Sequence, residues 1–542
     1  MSNKVMNPEI LNEDPSTQGD GDISIGISES ADVDINNCDT DTDITSNMST
    51  NSNNSHISEV SAAWKLSSVP QPSRYSQPLV SESFDAINSY SGGEKSQRIT
   101  SAIIFMIVKD NMPLNSTDKE GFKHLMKTIA PLYKIPGRNS ITKLIDTKYE
   151  VLSLLIKNKL SEVENITLTT DVWTEILNTV GFLGVTAHFY FDNKLNSIAI
   201  GVYELSENHT GDYLGNCLRT VCEEWNIPLE KITAVVTDNG SNIVKAVSNV
   251  FGKNKHLPCF AHTLDLVASK IVYETEEVRD IVSKIKSIVT HFKQSVIDAD
   301  KLRKAQGKDF LKLIQSVPTR WNSVYYMLER FLKLSTYIAP ILLENSKGPS
   351  MIQGMEIEIV REVLQILKPI EQVSKEICGE QYLTGSKIIP IINCLFKTMQ
   401  HLDTSTEEAK KLLTCAIKEL KHRFGVIEQV RLLAIATLLD PRFKKLHFND
   451  FVACSQAVKC ISNICKEYDI PKKSVPAVET TEKIHKSDSV WAYHVELAKN
   501  SIDIDIQAEK DEGTYCDLKT YFKQPIEPLL TTDVFLFWKS VM

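Results

Sequence analysis

An α+β architecture, a mixed sheet followed by a long run of helices, is what the 542-residue sequence predicts, on three observations. Strand-like, β-branched runs are confined to residues 161–275. Residues 276–470 carry almost nothing but helical spacing of apolar side chains. Ahead of both, residues 1–94 are too polar to pack.

The first of these segments is an acidic tail. Up to Trp64 its only basic residue is Lys4, set against twelve acids, so the formal net charge of −9 is concentrated there and the remaining chain is close to neutral. Ser, Asn, Asp and Thr dominate it, and such a composition cannot bury enough apolar surface to offset chain entropy; disorder is expected. Residues 95–160 switch to helical periodicity, with Ile99, Ala102, Ile103, Met106 and Ile107 on one face and Phe122, Leu125 and Met126 on another. Turns are marked at Asn111-Met-Pro and Ile135-Pro-Gly.

Strands follow. Ile166-Thr-Leu-Thr-Thr-Asp, Gly184-Val-Thr-Ala-His-Phe-Tyr-Phe and Ser197-Ile-Ala-Ile-Gly-Val-Tyr read as an antiparallel meander. A helix over 210–225 then crosses over to a buried strand, Ile232-Thr-Ala-Val-Val-Thr-Asp, which can pair parallel with the first. Three meander strands, a crossover helix and a parallel fourth strand are the core of an RNase H-like fold. From 276 onward helices are predicted over 278–294, 321–342, 357–377, 387–402 and 405–424. Residues 471–542 read as a polar linker and two aromatic-rich runs.

Composition narrows the function. With 42% hydrophobic residues the chain can build a sizeable core, and at roughly 150 residues per unit it should hold three or four of them. No stretch approaches the roughly 18 uncharged apolar residues of a membrane span, and the first twenty residues are polar where a secretory signal is apolar, so a soluble intracellular protein is expected. Eleven irregularly spaced cysteines without any Cys-x-x-Cys pair point to reduced thiols rather than disulfides or the commonest zinc sites.

Asp171 and Asp238 end the two strands expected to lie side by side. Their carboxylates would converge at the carboxyl ends of those strands, where hard oxygen ligands could hold Mg²⁺ for in-line attack on a phosphodiester. The alternative is purely structural: a strand end at Asp171, and a turn and helix cap at Asp238-Asn-Gly-Ser.

Thr169-Thr-Asp-Val-Trp-Thr, Val236-Thr-Asp-Asn-Gly-Ser-Asn, Cys259-Phe-Ala-His-Thr-Leu, Thr319-Arg-Trp-Asn-Ser and Leu439-Asp-Pro-Arg-Phe-Lys resemble, in order, the signature blocks of hAT-superfamily DNA transposases, closest to the zinc-finger BED domain-containing group. The resemblance runs from about residue 95 to the end of the chain. It implies a transposable-element origin, a nuclear location and DNA as a partner, with protein partners open and no membrane. It also implies that Asp171 and Asp238 match the first two acids of an Asp-Asp-Glu triad and that the helices after Thr275 are an insertion within the RNase H-like fold.

Two departures shape the expected function. The family's third acid lies in a Ser-Glu-Arg-containing block that would begin just after Met542, a block that is also its main dimerisation region. Without it Asp171 and Asp238 are vestigial candidates, Mg²⁺ is a cofactor only of an active form, and homo-oligomerisation is open. The BED finger needs four zinc ligands, and the region before Lys95 offers Cys38 and His56, so zinc is not expected. The leading expectation is a transposase-derived nuclear protein without catalytic competence that binds DNA or protein; the alternatives are a Mg-dependent transposase and an interaction scaffold.

Four more residues carry site expectations. Cys259 and His262 have metal-ligand spacing but no second pair, which favours a buried thiol and a packing histidine; the resemblance sets this block beside the active site, so a supporting contact from His262 to Asp238 is expected. Arg320 and Trp321 could hold phosphate and stack on an unpaired base, or Trp321 could anchor a core with Val324, Tyr325 and Leu328. Lys284, Lys286, Lys293, Lys301, Arg303 and Lys304 form a basic stretch that could touch phosphate or simply be solvated. The run from Ile526, with Trp538, is expected to leave an apolar patch exposed.

Overall fold

The computed structural model describes residues 89–541 apart from 91, 176–178, 318–319, 379–383, 468–489, 502–515, 528–529 and 531–532. The expected acidic tail, with Cys38 and His56, lies outside the described residues, as does most of the expected linker after 471. The chain packs as two compact units that divide between Asn158 and Lys159.

In the first unit, α1 (Glu94–Lys109) and α2 (Glu120–Ile129) precede α3 (Arg138–Glu162), which carries the chain across the boundary. Ile103, Ile104 and Ile107 of α1 close on Met126, Tyr133 and Ile141. The Tyr133 hydroxyl, 2.6 Å from Thr100 Oγ1, finds the partner a buried phenol requires. Leu125, expected inside, is half exposed because α2 buries only its Met126 line.

The second unit opens with β1 (Ile166–Glu175), β2 (Val180–Phe191) and β3 (Lys194–Leu205), paired antiparallel in sequence. Asp192 and Asn193 between β2 and β3 both take left-handed φ, at 52° and 59°, the backbone that suits a two-residue hairpin to strand twist. Then α4 (Gly211–Glu224), capped by Thr210, leads to β4 (Ile232–Thr237), α5 (Ser241–Val250) and β5 (His256–Pro258). β4 pairs parallel with β1, and β5 parallel with β4. Among the described residues the sheet therefore runs β3-β2-β1-β4-β5, compatible with an RNase-like α+β fold. Of the described strands only β5 escaped the sequence reading. Its three residues are too short to show alternation.

Beyond β5 every described element is helical. α6 (Phe260–Glu274), α7 (Glu276–Gln294), α8 (Val296–Gln306), α9 (Trp321–Glu344), α10 (Gly354–Ile377), α11 (Ile388–Gln400) and α12 (Glu407–Phe424) enclose one apolar core that extends from Phe260 to Phe424 and takes in Trp491. Lys270 on α6 reaches Glu419 on α12 at 2.6 Å. α13 (Arg431–Leu439), α14 (Phe451–Glu467), α15 (Ala492–Ser501), α16 (Cys516–Lys523) and α17 (Val534–Val541) follow, and α13, α14, α16 and α17 share a second core around Ile389, Leu438 and Tyr521.

The Leu439-Asp-Pro-Arg-Phe-Lys block clamps that C-terminal segment. Asp440, fully buried, accepts from Arg442 Nε at 2.8 Å and Nη2 at 2.6 Å, while Arg442 Nη1 donates to the Leu530 carbonyl. Lys444 Nζ donates to the carbonyls of Tyr521 and Gln524, both at 2.8 Å, and of Pro525 at 3.2 Å. Trp538 is not left bare as expected: its indole packs on Tyr521 and donates to the Leu439 carbonyl at 2.8 Å. No helix among the described residues is long and apolar enough to cross a membrane.

Candidate functional site

Strand register builds the site. Thr169 of β1 stands beside Val236 of β4 in the last registered parallel pair; two residues beyond it on each chain come Asp171, which does not end its strand as expected because β1 runs on to Glu175, and Asp238, just past the end of β4. Asp171 is exposed and Asp238 half-buried. One oxygen of each is used locally: Asp171 Oδ1 accepts the Val172 N–H, and Asp238 Oδ1 accepts the Gly240 N–H, both at 3.0 Å. The second oxygen of each takes no protein hydrogen bond among the described residues, which is the donor set a hard divalent cation uses. No cluster of three His, Cys, Asp or Glu side chains arranged for a metal occurs among the described residues.

Asp238 is held from behind. The Thr237 hydroxyl donates to the Asp238 carbonyl at 2.6 Å and lies 2.9 Å from His256 Nε2. With the hydroxyl proton so used, His256 must donate through Nε2–H, which fixes its tautomer. Burial lowers the His256 pKa, and the nearby Asp238 charge opposes that. Asn239 Nδ2 donates to Thr263 Oγ1 at 3.1 Å, and that hydroxyl donates to the Cys259 carbonyl at 2.9 Å.

Cys259 contributes its backbone: its N–H reaches the Thr237 carbonyl at 2.6 Å, and it caps α6. His262, half-buried on α6, forms no hydrogen bond with Asp238 among the described residues; instead Thr263 meets Asn239 and His256 meets Thr237, the residues on either side of Asp238. His256 was missed because it lies on the short β5, without a motif around it.

A second residue missed is Trp173. It projects from the same face of β1 as Asp171, remains 40% exposed and stacks on Phe182 at 5.8 Å. Gly184, paired opposite Asp171, makes that possible, since a Cβ there would come within 2.8 Å of the indole. A cavity of about 740 Å³ opens at the same sheet edge, lined by Thr174, Thr179, Gly181, Glu207 and His209 among others.

Arg320 and Trp321 part company. Arg320 is exposed at the N-cap of α9, whereas Trp321 is 6% exposed within the helical core. The Trp321 N–H donates to Asp265 Oδ1 at 3.3 Å, one turn beyond His262 on α6. For Trp321 to stack on a base, its ring would have to leave that core.

Two family models match this region: the ZBED1 RNase-like domain over residues 169–260, which spans both aspartates, and the ZBED1 RNase-like helical domain over 257–373. The human zinc finger BED domain-containing protein 4 is 27% identical over 386 residues, and protein 6 is 26% identical over 380. The chain is thus similar to hAT-derived, BED-type proteins. The Hobo transposase of Drosophila melanogaster is 24% identical to it over 400 residues. The three alignments take in 68%, 65% and 69% of the chain but 32%, 38% and 57% of those relatives, so the chain spans from a third to just over half of their lengths.

Proposed function

We propose that this chain is a transposase-derived nuclear protein that binds DNA and does not cut it by itself. The parallel register of β1 and β4, which puts Asp171 and Asp238 at corresponding positions two residues past its last pair, supports the reading, because neighbouring carboxylates on such strands are what a nuclease-type set would use. A bound Mg²⁺ would supply Lewis-acid stabilisation of a phosphodiester under attack. Asp171 and Asp238 would each offer the oxygen not used by Val172 or Gly240, and His256 through Thr237 would keep the Asp238 backbone in place. Among the described residues no third ligand joins the pair, so Asp171 and Asp238 alone would hold the ion and no side chain would position the attacking water. We therefore assign the pair a vestigial role in this chain.

The helical region from α6 onward is read as an insertion within the RNase-like fold. Phe535 on α17 stacks on Tyr190 of β2 at 4.0 Å, so the chain returns to the sheet after the helices. Nuclear location and DNA as partner follow from the kinship with transposases and BED-type proteins. A second reading is favoured by the accessibility of Asp171: a third acid from another polypeptide could complete the set.

The test is incubation of a labelled duplex with folded protein in Mg²⁺ or Mn²⁺, beside Asp171→Ala and Asp238→Ala. All three proteins should bind the duplex and leave it uncut. Nicking that either substitution abolishes would overturn the assignment and establish an enzyme.

A further inference from the structure

The basic stretch noted in the sequence resolves into engaged and free charges. Lys284 pairs with Glu356 at 2.6 Å, Lys301 with Glu344 at 3.0 Å and Arg303 with Asp300 at 2.7 Å. Lys286, Lys293 and Lys304 are exposed and make no ion pair among the described residues. They lie on the two helices that meet where α7 turns into α8, and at that corner Val296 and Ile297 are 75% and 73% exposed.

Helical spacing sets the arrangement. Lys286 and Lys293 are seven residues apart and so lie along one line of α7, with Lys293 just before the corner. Ile297, Lys301 and Lys304 fall at i, i+4 and i+7 on one line of α8, and Val296, Asp300 and Arg303 on the next. Every acid of α8 is engaged: Asp300 with Arg303, and Asp298 inside. The corner is also rigid. Asp298 Oδ2 accepts from Asn345 Nδ2 and meets His291 Nε2, both at 2.7 Å, and Ser295 Oγ accepts the Asp298 N–H.

An apolar tip of two residues is too small for the core of a stable protein interface, which needs on the order of 800 Å² a side, and too small for a membrane-lying helix face. A wedge entering a DNA groove needs only one or two aliphatic side chains, with cations beside it for the phosphates. We propose that the α7–α8 corner is a contact for duplex DNA, in which Lys286, Lys293 and Lys304 meet backbone phosphates and Val296 and Ile297 enter the groove. This rests on the reading that the chain binds DNA, and it puts that binding on a surface separate from the aspartate pair.

The experiment is fluorescence anisotropy of a mixed-sequence duplex with the full chain across a salt series. Each phosphate contact contributes about 0.9 to the log–log salt slope, so K286A/K293A/K304A should flatten it by about 3. V296S/I297S should bind roughly tenfold more weakly with the slope unchanged, because it loses buried apolar area rather than ion release. All five side-chain changes are at exposed positions, and melting curves matching the wild type establish that the variants fold. If the wild type binds duplex and both variants keep its affinity and slope, the corner is not the contact, while DNA binding stands. If folded wild type binds no duplex, DNA is not the occupant and the proposed function falls with it.

Discussion

Arg442 and Asp440 are buried together, and each makes the other tolerable. An unpaired buried carboxylate costs far more than the pair contributes over an apolar replacement, so Arg442→Ala should destabilise the second unit by about 3–5 kcal/mol. Urea unfolding would show this as a lowered midpoint. Close by, His447 Nε2 and His494 Nδ1 share a hydrogen bond at 2.9 Å, while His447 Nδ1 and His494 Nε2 are buried without a partner among the described residues. Burial lowers both pKa values; the neighbouring ring adds to this at His447, and the Arg442 charge at His494. Folded protein thus refuses protons that the unfolded chain accepts below about pH 6.5, so stability is present above that pH and is lost as pH falls below it. The melting temperature should drop between about pH 7 and pH 5. His447→Phe should shallow that drop, and an unchanged pH profile in that variant would show the pair is not its source.

At the scale of elements, the sequence was legible where periodicity was long. The helix expected over 321–342 forms as Trp321–Glu344, and that over 357–377 as Gly354–Ile377, because each places apolar residues along one line for six turns. The meander and the parallel β1–β4 pair were equally readable from β-branched runs and turn residues. Short elements were not. β5 has three residues, and the eleven-residue α8 buries only Asp298 and Leu302, which leaves no apolar stripe to find. The same weakness hid the corner, since an exposed Val-Ile pair followed by acids and lysines has no helical signature. At the site, the end of β4 before Asp238 was legible while the continuation of β1 past Asp171 to Glu175 was not, and His256 and Trp173 depend on partners, Thr237 and Gly184, that adjacency in space supplies.

At the scale of the molecule, the helical core closes over a long stretch of chain. The family model for the helical domain ends at residue 373, yet the core it begins is completed by Leu412, Ala416, Leu420 and Phe424 of α12 and by Trp491. A fragment of residues 159–373 would expose the faces these side chains cover. It should retain helical circular dichroism but bind ANS and lack near-ultraviolet structure, whereas residues 159–542, which keep both helical cores, should melt cooperatively. A cooperative, ANS-silent 159–373 fragment would mean that α6 to α10 form their own core.

That closure has a cost in time. Phe260 leaves the ribosome more than two hundred residues ahead of Trp491, its distant companion in the core. At synthesis rates of about 5–20 residues per second, the apolar faces from α6 onward wait roughly 10–50 s for the last of their cover. For that interval the nascent chain is a client for chaperones, and its yield in a cell depends on their supply as much as on the stability of the finished fold.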